Sequence, residues 1–416
     1  MYRVLIILFC ICNIEICVAQ NEKNSPYSRF GLGDLNNISF SEHAALGGVT
    51  AFSNSRSINP YNPATYSSFL KNSFLFSTGI DHQNIAAYNK AESQVNNNTS
   101  FSHFAFGFRL NNRFAASMGM LPYSDMNYNL TTFNDSYNAD LIYSGDGGIS
   151  KMYFGLAYKL SEMLSIGVNA SYLFGILNQR KKILYRDNSF INSRKNNSFS
   201  IKGYTYEVGL LYSKSINKEK KISFGLNTSN NATIKTKSSQ LLETFEYTGL
   251  IEYAKDTVLN ITQSGDLYLP RFINIGAMYK KSDNWIFIVD YSMQDWSEYK
   301  FFNQNSDDLT NSNRASIGTQ YIPEPNSITK YYKRFEYRFG LSHENTPLYL
   351  NNNQLQETGV YFGLGIPVKK NRTKYNFLLA LSERGTTEGD LIKERIFRFG
   401  LQISFNGIWF KKYKYD

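Results

Sequence analysis

Cysteine is almost missing from this 416-residue chain, and its three copies, Cys10, Cys12 and Cys17, all fall close to the N-terminus. With that stretch removed as a leader, the mature chain has no disulfide, no thiolate metal site and no cysteine nucleophile. Long apolar runs are missing too. Past residue 20 nothing approaches the roughly 20 apolar residues a spanning helix requires, and mean hydropathy is −0.38. Histidine occurs four times, at His43, His82, His103 and His343, without metal-ligand spacing. His103 shares strand parity with Gly107 and Arg109, but no nucleophile pairs with it, so an enzyme is not expected. No phosphate-binding or calcium-binding loop occurs, and neither a cofactor nor a metal is expected. The net charge of +10 is dispersed, with no basic helix and no nucleic-acid-binding module. Nucleic acid is therefore not an expected partner, whereas an anionic lipid surface is.

Aromatics are what the chain has in excess: 31 Tyr and 31 Phe. Many sit in a pattern that returns eight times, an apolar residue, Gly, then another apolar residue, inside an alternating stretch. The glycines are Gly107, Gly155, Gly209, Gly225, Gly276, Gly340, Gly363 and Gly400. In the last copy Phe397, Phe399, Leu401, Ile403 and Phe405 share one strand face; Arg398, Gly400, Gln402 and Ser404 share the other. Large aromatics on one face of strand after strand suit lipid outside and a polar or filled lumen inside. Alternating runs give about fourteen strand candidates. Short polar turns (110–113, 160–164, 281–284, 369–373) alternate with long polar excursions (84–98, 125–148, 180–197, 233–267, 294–313, 345–357). One supposedly short turn, 323–333, is stretched. The expected fold is all-β: a transmembrane antiparallel β-barrel of about 14 strands, its long loops outside the cell.

Arg3 followed by apolar Val4 to Ile11, with small residues near Ala19, reads as a signal peptide, 1–19, cleaved before Gln20. From 20 to 66 alternation is weak and Gly, Pro, Asn and aromatics are dense, as expected of a compact plug inside the barrel. The barrel is expected over 67–406, followed by a periplasmic tail, 407–416.

Three sets of residues resemble one known family. Asn62-Pro63-Ala64, following Gly47-Gly48, is similar to an NPA motif after an N-terminal hatch. Leu269-Pro270-Arg271, Ile275 to Tyr279, Trp285, Asp290-Tyr291 and Trp296-Ser297 are similar to a mid-barrel signature. Tyr337 to Gly340 and Gly363 to Pro367 are similar to a C-terminal one. The ordered set resembles the FadL/TodX outer-membrane hydrophobic-compound transporters, in their Bacteroidota branch. That resemblance implies a 14-stranded barrel with its N-terminal segment in the lumen. It implies passive uptake of hydrophobic or amphipathic small molecules across the outer membrane of a Gram-negative bacterium, with both termini periplasmic. The alternative it implies is a non-transporting partner of a secretion or outer-membrane protein assembly machinery. The tail NGIWFKKYKYD departs from barrels that finish on a terminal aromatic.

Candidate residues follow from local chemistry. Asn59, Pro60, Asn62, Pro63 and Ala64 either fix the turn from plug to barrel or gate it; the turn chemistry favours the first. Pro122 either kinks the third strand and opens the wall sideways, or marks that strand's outer end; the following Tyr-Ser-Asp favours the second. Phe30, Leu32 and Leu35 either line an apolar channel through the plug or pack within it. Asp34 either pairs with an inward arginine among Arg109, Arg338 and Arg398, with Asn274 and Gln402 as further lumenal partners, or is exposed at a turn.

Overall fold

The computed structural model describes residues 25–408 apart from 37, 48–49, 53, 91–92, 188, 250, 303, 307 and 369–371. The expected leader, its cleavage site and nearly all of the expected tail lie outside the described residues.

Seventeen strand segments assemble the wall. The first six strands are β1 (Ser73–Tyr88), β2 (Ser93–Arg109), β3 (Phe114–Asp125, resuming as Tyr128–Asn134), β4 (Ala139–Lys159), β5 (Leu164–Tyr185) and β6 (Asn192–Ser215). Next come β7 (Lys220–Ser229, resuming as Ala232–Thr248), β8 (Ile251–Leu269, resuming as Phe272–Lys281) and β9 (Trp285–Gln294). The circuit ends with β10 (Ser312–Tyr321), β11 (Glu336–Leu350), β12 (Asn353–Pro367), β13 (Lys374–Arg384) and β14 (Lys393–Ile408). Each interrupted strand faces one continuous or equally interrupted neighbour, so it counts once. Fourteen antiparallel strands result, closed by β14 against β1 from Ser73↔Ile408 to Tyr88↔Lys393. The number expected from alternation is the number observed.

The interruptions are satisfied by side chains. Pro270 has no N–H to donate; its carbonyl accepts from Gln294 at 2.8 Å, while Asn231 Oδ1 accepts the Arg271 N–H at 2.9 Å. Outward residues at mid-strand are large and exposed: Met152, Phe154 and Leu156 on β4, Val208 and Leu210 on β6, Phe287 and Val289 on β9, Leu379 and Leu381 on β13. Their inward neighbours, such as Asn169, Glu207, Arg338 and Gln402, are buried. Apolar outside and polar inside is the inverse of a soluble protein, and it places lipid around the wall.

Most of the expected long loops are strand. The excursions at 84–98, 125–148, 180–197, 233–267 and 345–357 are extensions of the hairpins, paired nearly to their tips. The outward face is largely polar there, because beyond the membrane it does not meet lipid, and the buried inward apolar residues, such as Ile85, Ile234, Phe245 and Leu355, are too widely spaced to show the alternation. Only 294–313 is irregular, with one helical turn at Trp296–Glu298 and two two-residue strands, Lys300–Phe301 and Gln304–Asn305. Strand β6 has 24 residues, about 80 Å at ~3.3 Å per residue, against an apolar band of ~25 Å. The outer halves of β3 to β8 therefore stand well clear of the band as a sheet.

Candidate functional site

The lumen is filled by residues 25–72, and the glycine pattern of the wall is the surface on which that segment lies. Gly400 faces Ser41, Gly363 faces Ala45, and Gly340 faces Leu46 and Gly47. Gly276 and Gly225 face Thr50 and Ala51; Gly209 faces Asn62 and Pro63; Gly155 faces Tyr66; Gly107 faces Phe69. As the segment advances from Ser41 to Phe69, the wall beneath it steps back from β14 to β2, nearly one circuit of the inner wall. The contact leaves no room for a side chain. A Cβ on Gly209 would sit 2.1 Å from Asn62 Oδ1, and one on Gly225 2.3 Å from the Thr50 carbonyl.

Ionic contacts pin the track. Glu42, fully buried on the helical turn Ser41–Ala44, accepts from Lys374 Nζ at 2.6 Å, Arg338 Nη2 at 3.2 Å and Ser57 Oγ at 2.9 Å. Burial alone would raise its carboxyl, but Lys374 and Arg338 override that and hold it at about 2. Glu336 bonds the same two cations. Next to it, burial pulls the His43 imidazole down to about 4, so it is neutral. Asp34 forms a two-pronged pair with Arg384, at 3.0 and 3.3 Å, and Arg384 also holds Glu394 at 2.6 Å. This corrects the expected partners of Asp34. Arg338 serves Glu42 instead; Arg398 pairs with Asp81 of the wall at 2.8 Å and with the Ile38 carbonyl at 3.1 Å; Arg109 binds the carbonyls of Ser67, Asn111 and Asn112. Asn274 borders a cavity, and Gln402 Oε1 accepts the Glu42 N–H at 2.9 Å.

The expected turn residues sit together. Asn62 caps the helical turn Pro63–Ser68 by accepting from the Ala64 N–H at 3.1 Å, and its amide donates to the carbonyls of Thr50 (2.8 Å) and Leu210 (3.2 Å). Asn59 donates to the Phe52 carbonyl at 2.9 Å, and the Pro60 carbonyl accepts from Asn169 of β5 at 3.0 Å. The wall begins at Ser73, seven residues past the expected boundary at 66.

Pro122 lies inside β3, opposite Ser150, with a register shift just beyond it. Its strand continues past it rather than ending there. Strands β2 and β3 pair only from Phe104↔Met120 to Arg109↔Ala115. Above that point β2 leaves, and the lumenal segment takes its place: Leu35 pairs with Ser124, Asp34 with Asp125, and Asn36 N–H donates to the Tyr123 carbonyl at 2.9 Å. Two cavities flank this seam. One, of about 190 Å3, is bordered by Pro122, Tyr123, Lys151, Glu207, Asp290 and Trp296. The other, of about 170 Å3, is bordered by Phe30, Leu32, Leu35, Arg314, Arg384 and Arg398. Both mix apolar with charged groups, and both are smaller than a typical small-molecule site of ~300–1,000 Å3.

Above the cavities the irregular loop caps the lumen. Trp296, Tyr299, Phe301 and Phe302 pack against Phe199, Ile201, Ile234, Leu267 and Leu32. Beneath them Ile58, Tyr66 and Phe69 form a second apolar layer with Tyr153. Sequence reasoning missed Glu42, Lys374, Arg384 and this cap. An acid three residues after a strandless Ser39 carries no local mark of burial; only the inward parity of Lys374 and Arg384 was available as a signal.

A closed fourteen-stranded wall, a segment wound inside it and a seam between the second and third strands define an outer-membrane barrel of the hydrophobic-compound-channel fold. The toluene transporter TodX of P. putida aligns with 92% of this chain and 100% of its own, at 15% identity and a TM-score of 0.59. A Pseudomonas aeruginosa FadL homologue aligns over 90% and 98%, at 13% identity and 0.60. The monoaromatic hydrocarbon channel CymD aligns over 91% and 99%, at 15% and 0.54. No curated protein matches the sequence. The chain belongs to the BamG family, whose model matches residues 1–416.

Proposed function

We propose that this protein is a non-transporting barrel partner of an outer-membrane protein assembly machinery, oriented with its termini periplasmic and its long hairpins outside. The observation that carries the reading is the filled lumen. A ligand path would have to cross the aromatic cap at Trp296 to Phe302, then a segment pinned by Glu42 and Asp34, then the layer at Tyr66 and Phe69. Breaking one such buried pair costs about 3–5 kcal/mol, so the segment is held as structure rather than poised as a gate. Membership of the BamG family along the entire chain is consistent with this. In the test, the native protein is purified from gentle detergent extracts and then depleted in cells. A stoichiometric complex with a barrel-assembly protein is expected, and depletion should lower the folded amounts of other outer-membrane barrels. A chain that purifies alone, with other barrels unaffected by its depletion, overturns the proposal.

The second reading is passive uptake of hydrophobic or amphipathic small molecules, as in the toluene transporter that shares the fold. The seam beside Pro122 and the cavity behind it favour it. Saturable uptake of such a compound, lost when the chain is deleted, would establish it.

A further inference from the structure

The outward face of the projecting sheet carries a feature that neither reading uses. Lys202 of β6 and Lys235 of β7 are direct cross-strand partners on the same outward face, and Lys237 follows two residues on, opposite Ser200. Three ammonium groups thus share one patch of two strands, and like charges set directly opposite one another are destabilising. Asp266, across from Lys235, offers one carboxylate at 2.7 Å. Among the described residues the next acid on that face, Asp146, is already taken by Arg180 at 3.0 Å and by Asn178 at 2.8 Å. Lys202 and Lys237 remain as two positive charges.

The level of the patch is set by what lies below it. Phe174 is the partner of Lys202 on β5, and Tyr172 and Tyr204 pair one step towards the membrane, their rings 5.0 Å apart. Tyr204, Tyr206 and Val208 are 65%, 51% and 52% exposed as the lipid-facing column of β6, with Tyr204 the outermost. An aromatic row of this kind sits at headgroup depth. The lysines stand immediately beyond it, where lipid phosphates are.

We propose that Lys202, Lys235 and Lys237, with the Ser200 hydroxyl between them, bind the phosphate group of a lipid headgroup in the leaflet on the hairpin side, the outer leaflet in the orientation given above. A phosphate carries up to two negative charges and several acceptor oxygens, which matches two uncompensated ammonium groups plus a hydroxyl. The rings of Tyr172, Phe174 and Tyr204 pack the first acyl carbons beneath it. The site depends on the barrel and its aromatic row, and is independent of whether the chain joins a machinery or transports a compound.

The test uses the full chain in phosphatidylcholine nanodiscs doped with monophosphoryl lipid A, and in matching nanodiscs with the dephosphorylated lipid. Native mass spectrometry counts the lipid retained after release. About one phosphorylated lipid per barrel is expected, with at least tenfold less of the dephosphorylated one. The triple variant K202Q/K235Q/K237Q is expected to lose this retention at least tenfold, and retention in the parent should fall steeply with salt. The doped lipid occupies both leaflets, so the result does not depend on orientation. Should the triple variant fail to show heat-modifiable migration, K202Q and K237Q singly are each expected to lower retention at least threefold. Equal retention of both lipids, or variants that assemble and retain lipid A like the parent, overturns the proposal.

Discussion

Glu42 is the residue on which the lumen depends most. It lies at 0% exposure on a single helical turn laid against the wall, held by side chains rather than by ladder hydrogen bonds. Its two cations come from different wall strands, β11 and β13, so one carboxylate ties the segment to two parts of the barrel. Substituting Glu42→Gln keeps the shape but leaves Glu336 as the one carboxylate beside Arg338 and Lys374 among the described residues. The expected cost is about 3 kcal/mol of segment docking, which is roughly a hundredfold in the opening equilibrium. Hydrogen exchange followed by mass spectrometry should therefore quicken about a hundredfold across 41–69, with the wall strands unchanged. Exchange as slow as in the parent would show that Glu42 does not hold the segment.

The element that organises the interior is the glycine track. Each wall glycine was legible as a recurring mark on the less apolar strand face, and the count of fourteen strands came from the same alternation. What the marks were for was not legible, because a glycine's use is a close approach by another part of the chain, and sequence does not say which part. The same limit applies to Asp34: its acid character was visible, but choosing Arg384 over Arg338 requires strand order around the barrel. The outer hairpins were missed for a different reason, since their outward face does not meet lipid and their inward apolar residues are too sparse to set a period. The track makes a direct prediction. Gly209→Val would bring side-chain atoms within bonding distance of Asn62 and Pro63, so the turn at Asn62 must lift while the wall, whose outer face is untouched, still assembles. Planar-bilayer conductance should rise severalfold with heat-modifiable migration intact. The outward change Leu210→Val on the same strand should leave conductance as it was. Equal conductance in both variants would mean that the track does not seat the segment.

At the scale of the molecule, the shape is a barrel with a segment wound inside it that carries a sheet far beyond its lipid band, and the sheet ends in an open edge. From Ile251 to Gly265 the described residues of β8 pair with β7 on one side only; a second neighbour joins from Asp266, whose carbonyl accepts the Phe302 N–H at 2.9 Å, to Leu267 and Tyr268, which pair with Phe301 and Lys300. Two register shifts lie near the tip, and the tip presents large apolar side chains, with Ile251 72% and Val258 59% exposed beside Tyr247 and Tyr253. Lipid cannot explain them at that distance from the apolar band, and an open edge with apolar neighbours is a surface that invites another chain. If the protein works by docking, this hairpin is the part that reaches the partner. Residues 243–258 can be removed and Leu242 joined to Leu259, its cross-strand neighbour, through Asn-Gly, the dipeptide suited to a two-residue hairpin turn. The shortened barrel should still migrate in a heat-modifiable way, keep its lumen closed and lose at least tenfold of its stoichiometric partner on purification. A shortened protein that keeps the partner in full would move the docking surface elsewhere, to the seam beside Pro122 or to the periplasmic end.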